Sequence, residues 1–255
     1  MAGIDANLAW LVLCFFLVAT LYSSVGFGGG SSYLAILTLF LPNFLEIKQT
    51  ALLCNLVVVS GGTYLFLKEG YFDLKRFLPL TLSSVPAAFL GATVGLSQEV
   101  FFFLLGLVLA LSGLLLLAQY AQKPTPETGE QKNPSWYLNL LLGGATGFLA
   151  GLVGIGGGIL LAPLLHLLKW GSARSIAALA SFFILVNSVS GLLGMVTSGK
   201  FQANFTLLAP LLLAVLVGGQ LGTRLSLYTF QPHVIKGLTG VFVLYIGVKL
   251  VIDYL

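Results

Sequence analysis

Two glycine-rich runs carry most of the chemistry this chain can offer. Gly26-Phe27-Gly28-Gly29-Gly30 returns 128 positions later as Gly154-Ile155-Gly156-Gly157-Gly158, and both copies lie in hydrophobic surroundings without a nearby charge. A membrane interior cannot hydrate loose backbone, so such interruptions survive only where protein buries them or where they line a water-accessible cavity. In transporters, interrupted helices mark binding sites. Helix restarts at Gly30-Ser31-Ser32 and at Gly158-Ile159, where the first amides have no intrahelical partner and their partial positive charge suits an anion. The candidate substrate-binding set therefore begins with Gly28, Gly29, Gly30, Ser31 and Ser32 in one half, and Gly156, Gly157 and Gly158 in the other.

Polar side chains in the element after each break extend that set. Gln49, Thr50 and Asn55 are matched against Ser181, Asn187 and Ser190, and of these Thr50, Asn55, Ser181 and Asn187 are taken as anion contacts. Amides and hydroxyls orient an oxyanion without a buried charge, although the same residues also hydrogen-bond neighbouring helices and serines cap helix starts. No Asp or Glu falls inside an expected helix core, which removes the usual acidic site for a transported cation. His166, in the second short helix, is an ionisable side chain inside an expected membrane element and is a candidate for proton coupling. Arg224, at a helix end, is a candidate gating residue or a headgroup anchor. Cys14 and Cys54 both lie in apolar runs and read as small buried hydrophobes. No metal site and no cofactor are expected.

The elements that must position these groups are membrane helices. Of 255 residues, 58% are hydrophobic and 8% charged, with a mean hydropathy of +1.02, whereas soluble domains carry about 25% charge. Charge-free windows such as Leu8 to Leu45, Val100 to Gln122 and Phe201 to Thr223 reach the roughly 20 residues a spanning helix needs. They are apolar all round, unlike the alternating strands of about 10 residues in an outer-membrane barrel. The expected fold class is all-α: a polytopic membrane protein of two inverted repeats, each with an interrupted pair of one long and one short, re-entrant or thinly crossing helix, followed by three longer helices. The net charge of +4 is placed in loops, where it orients the protein, and implies no nucleic-acid partner.

Residues 1–120 form the first expected repeat, 121–135 a cytoplasmic linker containing Pro124, Pro126 and Pro134, and 136–255 the second repeat. The long helices are set at Leu8 to Val25 and Trp136 to Val153, and the short ones at Gly30 to Leu41 and Gly158 to Leu168. Eleven helical residues extend only about 17 Å, too little for a core of about 30 Å. Three longer helices follow in each half, Gln49 to Leu67, Phe77 to Leu96 and Val100 to Tyr120, answered by Ser175 to Ser198, Phe205 to Leu225 and Pro232 to Tyr254. Ser60-Gly61 is aligned with Ser190-Gly191, and Tyr71 with Phe201.

Each long-plus-short pair contributes an even number of passages, so each half crosses an odd number of times and the second half is upside down. One face then receives Lys68, Lys75, Arg76, Lys123, Lys132, Lys169, Arg174, Arg224 and Lys236, and the other Lys48, Lys200 and Lys249. If only the short helix re-enters, the split falls to seven against five. The positive-inside rule favours the first arrangement, which puts the linker in the cytoplasm and both termini outside.

The passage Gly143-Gly144-Ala145-Thr146-Gly147-Phe148-Leu149-Ala150-Gly151-Leu152-Val153-Gly154-Ile155-Gly156-Gly157-Gly158, continuing through Pro163, resembles the signature of the sulfite exporter TauE/SafE family of bacterial membrane transporters. Tyr22 to Tyr33 stands where that family's first repeat falls, and the likeness continues through Ala180-Ser181, Ser190-Gly191 and Gly218 to Leu225. The resemblance implies export or uptake of sulfite, a sulfonate such as sulfoacetate, or a related small organosulfur anion, across the bacterial inner membrane. Partners are then the small anionic substrate and the lipid bilayer, with room for a homodimer. The first repeat departs from the second in having Ala35 where Pro163 stands and serines where Ile159 and Leu160 follow the glycines.

The expected activity is secondary transport by alternating access, and no enzymatic activity is expected. A passive anion-selective channel is the nearest alternative. A more distant one is an intramembrane serine hydrolase with Ser31 or Ser32 as nucleophile and His166 as base, which needs these groups within hydrogen-bond reach.

Overall fold

The computed structural model of the chain describes residues 2–24, 26–121, 135–201, 204–228 and 232–255. Among them every regular element is helical: α1 (Ala2–Ser23), α2 (Gly30–Leu37), α3 (Phe44–Lys68), α4 (Leu74–Thr93), α5 (Gln98–Ala121), α6 (Trp136–Val153), α7 (Gly158–Leu167), α8 (Ala173–Thr197), α9 (Phe205–Tyr228) and α10 (Pro232–Asp253). The linker expected at 121–135 lies outside the described residues except for Ala121, which ends α5, and Ser135, which caps α6.

Local sequence explains where the helices begin. Asn43 accepts from the Leu45 amide, Asp73 from Arg76, Ser135 from Leu138 and Ser172 from Ser175, each satisfying an amide that a helix start leaves orphaned. The Asn43 cap moves the start of α3 five residues ahead of the expected Gln49. Lys48, expected in a loop, therefore belongs to the helix and is only 5% exposed. The short helices are shorter than expected at their ends, α2 giving way to a turn after Leu37.

Five of the described helices (α3, α5, α6, α8 and α9) are long and apolar enough to cross a bilayer. Their outward faces carry large bare hydrophobics, among them Leu107, Leu111, Leu114, Leu213 and Val217. Apolar surface of that extent is what lipid covers and water does not tolerate.

Close helix contacts follow the small residues. Gly143, Gly147 and Gly151 of α6 meet Leu80, Ser84 and Ala88 of α4, so these two helices run in the same direction. Gly218 and Gly222 of α9 meet Phe16 and Thr20 of α1, again in one direction. By contrast α3 and α8 run antiparallel, Leu52 facing Gly191 and Gly62 facing Ser181. So do α5 and α10, with Gly106 against Val251 and Gly113 against Leu244. The partnerships are reciprocal: α1 packs on the second half's α9 and α6 on the first half's α4, while α3 with α8 and α5 with α10 join equivalent elements. Small-xxx-small faces permit such backbone proximity where burial against water supplies no attraction between helices.

Candidate functional site

The two glycine breaks are joined through α3 and α8. Gly29 and Gly157, the residues preceding α2 and α7, have φ of 88° and 82°. That left-handed backbone is open to glycine and strained for other residues. Neither helix start has a side-chain cap, so the amides of Gly30, Ser31 and Ser32 and of Gly158 and Ile159 are those that a helix leaves without an intrahelical acceptor.

Asn55, in the middle of α3 and fully buried, touches both breaks. Its carboxamide fills the space where side chains on Gly28 and Gly30 would stand, and Nδ2 donates to the Ile155 carbonyl at 3.2 Å. A side chain on Gly156 would also meet this Nδ2. Ser181 of α8 donates to the Gly26 carbonyl at 2.9 Å, tying the opposite helix to the first break. Ile184 packs on Gly156 and Gly158, and Ser188 lies beside Gly156.

The remaining expected contacts divide. Ser32 is buried and donates to the Tyr22 hydroxyl at 2.6 Å, and Ser31 is buried next to it. Thr50 is buried more than a turn before Asn55 on α3. Asn187 is 2% exposed, and both atoms of its carboxamide lack a hydrogen-bond partner. Asn55 Oδ1 and Ser188 Oγ are likewise buried and unpartnered. Each buried polar atom left in that condition costs about 1–3 kcal/mol; of these, Asn55 Oδ1 and Ser188 Oγ lie beside the breaks. His166 sits near the far end of α7, about 12 Å along the helix from Gly158 at 1.5 Å per residue. Arg224 is exposed near the end of α9.

The contacts correct the pairing of the halves. Asn55 holds the first break at Gly28 and Gly30 as Ile184 holds the second at Gly156 and Gly158, so the counterpart of Asn55 is Ile184 and not Asn187. Gly62, facing Ser181, corresponds to Gly191, facing Leu52. The alignment of Ser60-Gly61 with Ser190-Gly191 is thus one residue out, because a matching Ser-Gly pair outscores the single Gly62–Gly191 match in sequence and only packing reveals the register. Ser60 points away, its hydroxyl bonded to Leu56 of its own helix, whereas Ser190 reaches Val85 of α4.

Lys48, Ile184 and Ser188 were not foreseen as neighbours of the breaks. A signal for Lys48 was present: Asn43 followed by Glu46 three residues later has the form of a capping box, which extends α3 over the lysine. Every described residue from 26 to 35 and from 150 to 163 is buried, so this conformation closes both breaks to the surface.

Interrupted helices meeting at a polar centre inside a lipid-facing bundle define a polytopic membrane transporter. The family profile described as Sulfite exporter TauE/SafE matches residues 11–250, and the chain belongs to that family. It is 32% identical over 246 residues to the probable membrane transporter protein y4hK of Sinorhizobium fredii, covering 96% of this chain and 99% of the relative. It is 25% identical to the probable membrane transporter protein YunE of Bacillus subtilis, covering 95% and 97%. A probable membrane transporter protein of Xylella fastidiosa is 26% identical, with 88% of each chain covered. No solved structure matches.

Proposed function

We propose that this transporter carries a small organosulfur oxyanion, sulfite or a sulfonate such as sulfoacetate, across the bacterial inner membrane by alternating access. The observation that carries the reading is Asn55: one buried carboxamide bridges two glycine breaks, each of which starts a helix with uncapped amides. Several converging N–H donors suit compact anionic oxygens, and their partial charges hold an anion without the tight grip of a full salt bridge, which favours release.

The antiparallel registers of α3 with α8 and of α5 with α10 support an inverted-repeat organisation, in which the halves rock about the central site. Burial of both breaks suits an occluded stage of such a cycle better than an open pore. The linker side carries the larger share of Lys and Arg and is assigned to the cytoplasm, with the termini periplasmic.

Purified protein in sealed liposomes loaded with unlabelled sulfite is expected to accelerate entry of radiolabelled sulfite, with saturation and with competition by sulfonates. Voltage-driven current without counterflow would replace the carrier by a channel. Absence of either for every organosulfur anion would remove the substrate assignment.

A further inference from the structure

Beside the second break lies a cavity of about 80 Å³ whose lining includes Lys48, Lys200, Phe44, Phe101, Leu152 and Met195. It is built where the start of α3, the end of α4 and the end of α8 come together, and no acidic side chain lines it. Lys48 Nζ donates to the Leu152 carbonyl at 2.8 Å, near the end of α6, and Lys200 Nζ donates to the Thr93 carbonyl at 2.8 Å, the last residue of α4. Helix C-termini stabilise cations with only a fraction of a charge, and an ammonium has three donors. Each lysine thus keeps two N–H groups beyond these bonds. Among the described residues neither pairs with a carboxylate, and Lys48 is 5% exposed.

Two amines with N–H groups to spare, and no carboxylate in a largely apolar cavity of this size, suit an anion, whose charge would hold both in the ammonium form. The stem of Lys48 also lies against Gly154, the first residue of the second break, so the cavity adjoins the backbone that leads to the central site. At the first break the position corresponding to Lys48 is Ala177, which packs on Gly26. Lys48 therefore has no basic counterpart at the first break.

We propose that Lys48 and Lys200 form a second anion site, which takes one small oxyanion of the sulfite or sulfate kind at the mouth of the route to the glycine breaks. The choice of sulfite as probe rests on the transport reading above; the site itself does not. The test is equilibrium dialysis of radiolabelled sulfite against the purified full-length protein, stripped of lipid and at low ionic strength. Wild type is expected to bind two anions per chain. Lys48→Gln with Lys200→Gln should bind one, and Gly157→Val should keep the lysine-dependent one. Lys200→Gln alone, which leaves α3 untouched, should weaken that one about tenfold, or roughly 1.4 kcal/mol.

Wild-type binding in both lysine variants would overturn the proposal whatever Gly157→Val does. A single, lysine-dependent anion bound by wild type and Gly157→Val alike would overturn only the central site. A lipid phosphate offers the same chemistry, so phosphatidylglycerol is added in a parallel arm. Sulfite displacing that lipid from wild type supports the free anion. A lipid retained on wild type, lost from the lysine variant and indifferent to sulfite, would overturn the assignment to a free anion in favour of a headgroup site.

Discussion

The two glycine breaks share a backbone and differ in what faces it. Both precede a short helix with a left-handed glycine, at φ of 88° and 82°, and both are buried. Against the first break stands the carboxamide of Asn55; against the second, at the corresponding place, stands the hydrocarbon of Ile184. At the outer ends the order reverses, since Gly26 meets Ala177 while Gly154 meets Lys48. Duplication thus supplies the uncapped N–H groups twice, and in the proposed site divergence of single residues on α3 and α8 would supply selectivity once. On the proposed reading, such a site would distinguish the two ends of an asymmetric solute such as a sulfonate, whose charged oxygens and carbon end ask for different neighbours.

The shared part is where substitution should cost most. Gly29→Val and Gly157→Val each place a β-branched residue at a φ that costs about 1–3 kcal/mol, and each drives a side chain into neighbours: Tyr33 and Val18 at the first break, Phe183 and Ala150 at the second. Overpacking adds about 1–3 kcal/mol. Both variants are expected to abolish counterflow and to lower the melting temperature. Gly70→Val is the control, because its φ of 76° is similar while nothing lies within 4 Å; it should retain counterflow. If one break tolerates valine and the other does not, the breaks are not equivalent donors.

The glycine breaks and the order of long and short helices were legible because each depends on residues adjacent in sequence. Trp136 to Val153 was placed without error, since Ser135 and Gly154 bound it on both sides. What packs against a break was not legible. Ile184 stands at the second break where Asn55 stands at the first, and the register between helices of opposite halves is set by close backbone approach at glycines such as Gly147 and Gly222. Lys48 was missed for a different reason: a charge next to an apolar window looks like the end of a loop unless the cap ahead of it is weighed.

The divergent part yields the next effect in size. Asn55→Leu keeps roughly the side-chain volume but removes the bond to Ile155 and leaves that carbonyl unpaired, at about 1–3 kcal/mol. If the amide also contacts substrate, kcat/KM for sulfite should fall about ten- to hundredfold, at 1.4 kcal/mol per factor of ten. Ile184→Leu conserves volume and should stay within about threefold, because such swaps usually cost little. Equal losses in the two variants would show that this position only packs, in both halves, and would take selectivity away from Asn55.

Ser181→Ala should give the smallest effect. Ser181 secures the Gly26 carbonyl from α8, whereas Leu52, at the corresponding place on α3, has no hydroxyl to offer the second break. Loss of one buried hydrogen bond costs about 1 kcal/mol, and the exposed surface of the variant is unchanged, so a modest fall in melting temperature is expected with sulfite KM altered no more than about fivefold. A role in binding would instead raise KM strongly at unchanged stability. Melting curves and initial uptake rates on the same preparation separate the two, because a bond that only holds the first break in shape must register in the melting curve whether or not substrate is present.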